Sequence, residues 1–172
     1  SAQETLDRLI ASDAGRAVRQ LGVVDAKGGV AQHSGADCTT WFGHRQGDGF
    51  AVQGNMLTGA EVIDAMAEAM ANSAAEPLHA RLMTCLEAGQ AAGGDKRGKQ
   101  SASLKVFASE EYPLLDLRVD AHDDPVRDLR RVYEVALVQF LPFVIDMPTR
   151  EDVSSNFSDE VKAMLMKAPN DR

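Results

Sequence analysis

The chain predicts an α+β fold made of antiparallel layers. Strand-like runs show period-two alternation, and helical runs place apolar residues three and four apart. The order along the chain is helix, hairpin, loop-rich strand, two helices, two strands, then helices. Runs of strands alternating with runs of helices favour antiparallel layers over doubly wound βαβ units.

The first helix begins with a capping box, Ser1 at the N-cap and Glu4 at the third helical position. Leu6, Leu9 and Ile10 give it one apolar face, and it should end between Asp13 and Gly15. Val18–Asp25 and Val30–Ser34 flank a glycine turn, a hairpin signal. The segment Gly35–Met56 holds five glycines, with only Phe50–Gln53 strand-like and the rest expected as loop. Thr58 and Glu61 form a second capping-box pattern, opening a helix with Val62, Ile63, Met66, Ala67 and Met70 on one face. Pro77 suits the first turn of the next helix, which carries Leu78, Leu82, Cys85 and Leu86. The short break between the two helices predicts an antiparallel pair.

Two strands follow, Ser101–Ala108 and Leu114–Ala121, with Leu104, Val106, Leu115, Leu117 and Val119 on one buried face. Asp124-Pro125 starts a helix facing inward through Val126, Leu129, Val132, Ala136, Leu137 and Phe140, limited by Pro142. A last short helix takes Ser158 as cap and Val161 and Leu165 as apolar contacts.

The segment Gly93–Ala102 holds three glycines, one acid and three bases. Gly93, Gly98 and Lys99 approximate a nucleotide-binding P-loop, but Gln100 stands where that motif needs a Ser or Thr hydroxyl. The order is also reversed, because a P-loop leads from strand into helix. A glycine C-cap followed by a polar loop accounts for the segment.

Length fits one domain of ordinary size. The net charge of −8 argues against nucleic acid as a partner. No apolar run approaches the ~18 residues of a membrane span. Cys38 and Cys85 lie far apart with no C-x-x-C pairing, so neither a disulfide framework nor a structural zinc pattern is read, and a reduced cytoplasmic setting follows. His33, Cys38 and His44 match no standard metal spacing, so no metal is assigned, and no cofactor motif is read. His79 and His122 fall at helix starts, and Trp41 and the Met-rich helix face read as core or subunit contact.

Arg19-Gln-x-Gly-Val-Val-Asp25, Gly43-His44, Gly49-Phe-x-Val-Gln-Gly-Asn-Met-Leu57, the Gly93–Ala102 segment and Asp116-Leu-Arg-Val-Asp120 resemble the bacterial family labelled domain of unknown function 1028. The resemblance runs to about Arg131, and its most specific parts are Gln53-Gly54-Asn55-Met56 and the glycine segment. It implies an N-terminal-nucleophile (Ntn) hydrolase-like sandwich of four layers, helix–sheet–sheet–helix. It implies amide hydrolysis, in which an N-terminal Thr, Ser or Cys attacks and its own amine serves as base. No substrate is implied, although the peptidoglycan-binding domain of some members suggests cell-wall material. Members of the family begin with further strands that carry the nucleophile. The resemblance therefore implies that those strands are missing from residues 1–147 and that the nucleophile lies upstream; residues 148–172, beyond the resemblance, read from their own pattern as a helical tail. Ser1 is read as a helix cap and not as the nucleophile.

The candidate ligand-binding residues are His44, Gln53, Asn55, Asp95 and Arg97. His44 follows a glycine near Trp41, and imidazole is a ready hydrogen-bonding and acid–base group at neutral pH. Gln53 and Asn55 offer amide donors to an oxyanion or a substrate amide, or else satisfy a tight turn. Asp95 and Arg97 form a charge pair that orients a ligand, or else a loop salt bridge of small worth. A small-molecule or peptide-like ligand fits this set. The competing class is a binding or scaffold protein that keeps the fold without the chemistry. Apolar residues in the late helices, Phe140, Phe143 and Val144 above all, predict a homo-oligomer.

Overall fold

The structure, a computed structural model, describes residues 1–154 and 157–167. It is α+β, with three antiparallel two-stranded sheets, and divides into two compact units, Ser1–Lys99 and the residues from Gln100 onward.

In the first unit, α1 (Ala2–Ser12) is capped as expected: Ser1 Oγ accepts from Glu4 N, and the Glu4 carboxylate reaches back to the Ser1 amine. Ala2, Leu6 and Ile10 pack on Leu21, Val23 and Ala31. Leu9, expected on this face, is exposed, because the i, i+4 row through Leu6 turns it aside. Strands β1 (Gln20–Val24) and β2 (Val30–Ser34) pair with Leu21 opposite His33 and Val23 opposite Ala31. Asp25 closes their turn, accepting from the Lys27 and Gly29 amides at Oδ1 and from Ala2 N at Oδ2, each at 2.9 Å.

The second hairpin corrects the sequence expectation. Gly43–Gly47 is a strand, β3, paired with β4 (Phe50–Gly54), where a loop was expected. Its terminal glycines and its Arg45 and Gln46 have low strand propensity, which the pairing overrides. Gly49, with φ +70°, makes the tight turn.

Helix α2 (Ala60–Asn72) covers one face of this hairpin, and α3 (Leu78–Ala91) packs on α2. Ile63, Met70 and Cys85 bury Val52 together with Trp41, Phe50 and Leu57. Burial pushes the Cys85 thiol pKa up, as befits a core position. Gly89 allows close helix contact, since a Cβ there would meet Met66 Sδ at 2.8 Å. The expected Thr58 capping box does not form. Gly59 is the N-cap, and Thr58 instead donates its backbone N–H to the Gly94 carbonyl at 3.0 Å. In α3, Met83 is fully buried while Leu78 is exposed.

In the second unit, β5 (Ala102–Phe107) pairs with β6 (Pro113–Val119), placing Leu104 opposite Leu117 and Val106 opposite Leu115. All four are buried, as is Val119. Helix α4 (Pro125–Gln139) packs on both strands and buries Val126, Leu129, Tyr133 and Ala136. Tyr133 was not anticipated, and Phe140, expected inward, is exposed where the helix gives way to α5 (Leu141–Ile145). Val144 is buried and Phe143 stacks on Phe157 with ring centroids 5.2 Å apart, so two of the three residues that suggested an oligomer have partners within the chain. Ser158 caps α6 (Asp159–Leu165), accepting from Val161 N at 3.3 Å; Val161 is buried, but Leu165 is exposed.

Candidate functional site

Side chains alternate across a strand, so each hairpin of the first unit has two distinct faces. Leu21, Val23 and Ala31 turn toward α1, which sends Gln20, Gly22, Gln32 and Ser34 to the opposite face. On the second hairpin, Val52 turns toward α2, and Arg45 reaches Asp64 of α2 at 2.9 Å. Ala51, Gln53 and His44 therefore share the other face, and Asn55, just past β4, reaches Gln20 there. The two hairpins pack with these polar faces together, β1 over β4 and β2 over β3. A seam between stacked sheets is ordinarily the apolar core of a sandwich. Here glutamines, a serine and a histidine stand in it beside Gly22 and Ala51.

Hydrogen bonds across the seam are specific. Gln20 Nε2 lies 2.9 Å from Ser34 Oγ, 3.0 Å from the Gly54 carbonyl and 3.2 Å from the Gly43 carbonyl. Ser34 Oγ is 2.8 Å from His44 Nδ1. Asn55 Nδ2 donates to Gln20 Oε1 at 3.0 Å, and Gln32 Nε2 donates to the Val52 carbonyl at 3.0 Å. The amide oxygens of Gln32 and Gln53 are buried with no donor among the described residues. Gly22 makes room for Gln53, because a Cβ there would stand 2.8 Å from Gln53 Oε1. An unpaired buried acceptor costs about 1–3 kcal/mol.

Of the expected residues, His44 and Gln53 are cross-strand partners, and Asn55 joins them through Gln20. Asp95 and Arg97 lie on a separate segment. Asp95 forms an antiparallel bridge with Leu57, Lys96 N donates to the Met56 carbonyl at 2.8 Å, and Lys96 Nζ donates to the Thr40 carbonyl. Gly93, Gly94 and Gly98 adopt positive φ, which fits this segment's turns. Arg97 grips Asp95 through Nε and NH2, at 3.0 and 2.6 Å, and its guanidinium holds the Asp95 carboxyl below its usual range. Neither residue hydrogen-bonds to His44, Gln53 or Asn55 among the described residues. Met56, between the seam and this segment, has φ +55°, a left-handed conformation that costs a non-glycine residue roughly 1 kcal/mol.

His33, Cys38 and His44 have separate partners. His33 Nε2 donates to the Arg16 carbonyl, and Cys38 Sγ lies 3.5 Å from the Arg19 carbonyl. Gln20, Gln32 and Ser34 were missed as site residues. Their only signal is polar spacing by two along a hairpin, which equally describes a face open to water.

The profile of the family of unknown function DUF1028 matches residues 1–129. Among solved structures, protein SPO2555 from Silicibacter pomeroyi, also assigned to DUF1028, is similar with a TM-score of 0.77 and 28% identity. The match covers 89% of this chain and 66% of that one, so the chain spans just under two thirds of that relative's length. Comparison with curated proteins gives no match. An α+β protein with a polar seam between two hairpins is the class that fold and site define. The chain belongs to the DUF1028 family.

Proposed function

We propose that this chain is the larger part of an Ntn-type amide hydrolase, with the seam end around His44, Gln53 and Asn55 as its ligand-binding wall. The observation that carries this reading is the polar seam itself. Two sheets flanked by helices hold amide side chains where a sandwich built for stability would hold leucine and valine, and the Gln53 oxygen is buried there without a donor. Polar groups retained at such a cost belong with function. The left-handed Met56, directly after Asn55, supports the same location. On this reading the nucleophile lies outside these residues, on the part of the fold represented by the uncovered third of SPO2555.

The test is labelling of the longer protein with an electrophilic amide mimic, followed by peptide mass spectrometry. A single adduct on an N-terminal Thr, Ser or Cys, weakened by Gln53→Ala, is expected. The absence of any adduct would leave the second reading, a binding or scaffold protein. The mutual pairing of Asp95 and Arg97, which occupies both side chains, favours that second reading.

We also propose self-association through the outer face of α4 and the Phe140 that follows it, where Val135, Val138 and Phe140 are exposed. Light scattering should report a mass of at least two chains, reduced by Val138→Lys. A monomer at high concentration rejects it.

A further inference from the structure

The β5–β6 sheet has an open edge. It contains two strands, and no backbone hydrogen bond among the described residues reaches the other side of β6. An open edge is a row of unpaired amides and carbonyls, which templates pairing with another strand. Beside this edge runs a groove of about 380 Å³, walled by Asp116 and Leu117 of β6 and by Val132, Val135, Ala136 and Phe140. The Asp116 side chain points away from α4 and pairs with Lys105 at 2.9 Å. The groove therefore follows the edge of the strand and does not run beneath the sheet. Val135 and Phe140 are each 44% exposed in its wall.

We infer that a second copy of this chain occupies the edge, with β6 pairing antiparallel to β6 about a two-fold axis at Leu117. Charge and alternation select this partner and this register. A slip of one residue would set the polar face of one strand against the apolar face of the other. An axis at Asp116 or at Arg118 would set like charges opposite each other. With the axis at Leu117, Asp116 of each copy meets Arg118 of the other, and Leu115 meets Val119 on the buried face. Within the chain Asp116 pairs with Lys105 and Arg118 with Asp120, all exposed, so the new contacts extend an existing alternation of charge. The helices fit as well. Helix α4 packs on both β5 and β6. Strands stand about 4.8 Å apart, so continuing the sheet across the axis sets the two α4 helices about 10 Å apart, close to the distance at which helices pack. The groove side of each helix, with Val135, is then covered by the other copy. The inference rests on the self-association proposed above and deepens it by naming the surfaces that meet.

The experiment combines light scattering with cysteine cross-linking under mild oxidation. Asp116→Cys and Arg118→Cys are exposed substitutions, and the two native cysteines are buried. Neither variant alone should cross-link, because like positions do not meet across the axis. An equimolar mixture of the two should give a disulfide-linked dimer. Arg118→Asp, which sets like charges opposite each other twice in the dimer, should weaken dimerisation about tenfold, while Arg118→Lys should leave it within about twofold. A monomeric unaltered chain would overturn this inference together with the self-association on which it rests. A dimer whose mixed variants cross-link no better than either variant alone would overturn the β6 pairing and leave self-association standing. Absence of the mixed cross-link in the longer protein would assign the edge to a segment outside these residues and overturn the inference as well.

Discussion

Two hairpins in this molecule alternate polar and apolar residues in the same way and use the alternation differently. In β5–β6, the apolar half is buried under α4, and the polar half is open, where Lys105 pairs with the exposed Asp116 at 2.9 Å. In β3–β4, the apolar half packs against α2, with α3 behind it, and the polar half is covered by another hairpin. The first hairpin is a half-buried surface of the usual kind. The second has both faces covered, and one covering is polar. Alternation reports which face is polar; it does not report whether that face meets water.

The difference should appear in stability. The largest loss is expected from Leu115→Ala, a fully buried position of β6, at about 2–5 kcal/mol by chemical denaturation. A loss below 1 kcal/mol would mean that the apolar face of β5–β6 is less tightly packed than described.

Asp25 ties the β1–β2 turn to the start of α1, and the Ala2, Lys27 and Gly29 amides hold its carboxyl below the usual range. A lowered folded-state pKa gives stability that is present above the unfolded-state pKa, about 3.9, and lost as pH falls through the folded value. Asp25→Asn should therefore lower the melting temperature at neutral pH and flatten its decline below about pH 4. Equal slopes in the two proteins would show that Asp25 does not contribute to the acid limb.

Gln53→Met exchanges an amide with a buried, unpaired oxygen for an apolar side chain of similar length. It should leave stability unchanged or raise it by up to about 1 kcal/mol. A loss of more than that would make Gln53 a structural residue and erase the contrast between the hairpins. The smallest effect is expected from Arg97→Gln, since the guanidinium is exposed and its pair is screened by solvent. The denaturation midpoint should not move measurably.

Much of the fold was legible because burial there follows local periodicity. The alternation of Leu104, Val106, Leu115 and Leu117 and the helical face of Ile63 and Met70 each depend on one element meeting one apolar surface. The family resemblance singled out the His44–Asn55 stretch as candidate binding residues. Strand β3 was not legible, because its residues have weak intrinsic preference and acquire strand geometry only from β4. The roles of Gln20, Gln32 and Ser34 were hidden for a related reason: they become site residues only through the stacking of a hairpin distant in sequence. The Thr58 cap failed because Gly94, beyond two intervening helices, claims the Thr58 amide.

That last contact carries a consequence for the order of assembly. The bridge between Leu57 and Asp95, with the bonds from Lys96 N to Met56 and from Thr58 N to Gly94, closes a chain loop that contains all of α2 and α3. Closing a long flexible loop has an entropic cost, which falls once the intervening chain has folded back on itself as a helical pair. The latch should therefore form after the helices pair and be the first contact to open in native fluctuations. Amide exchange at Thr58 and Lys96 would then run faster than at the centre of α2, and the two latch amides would exchange together as one cooperative unit.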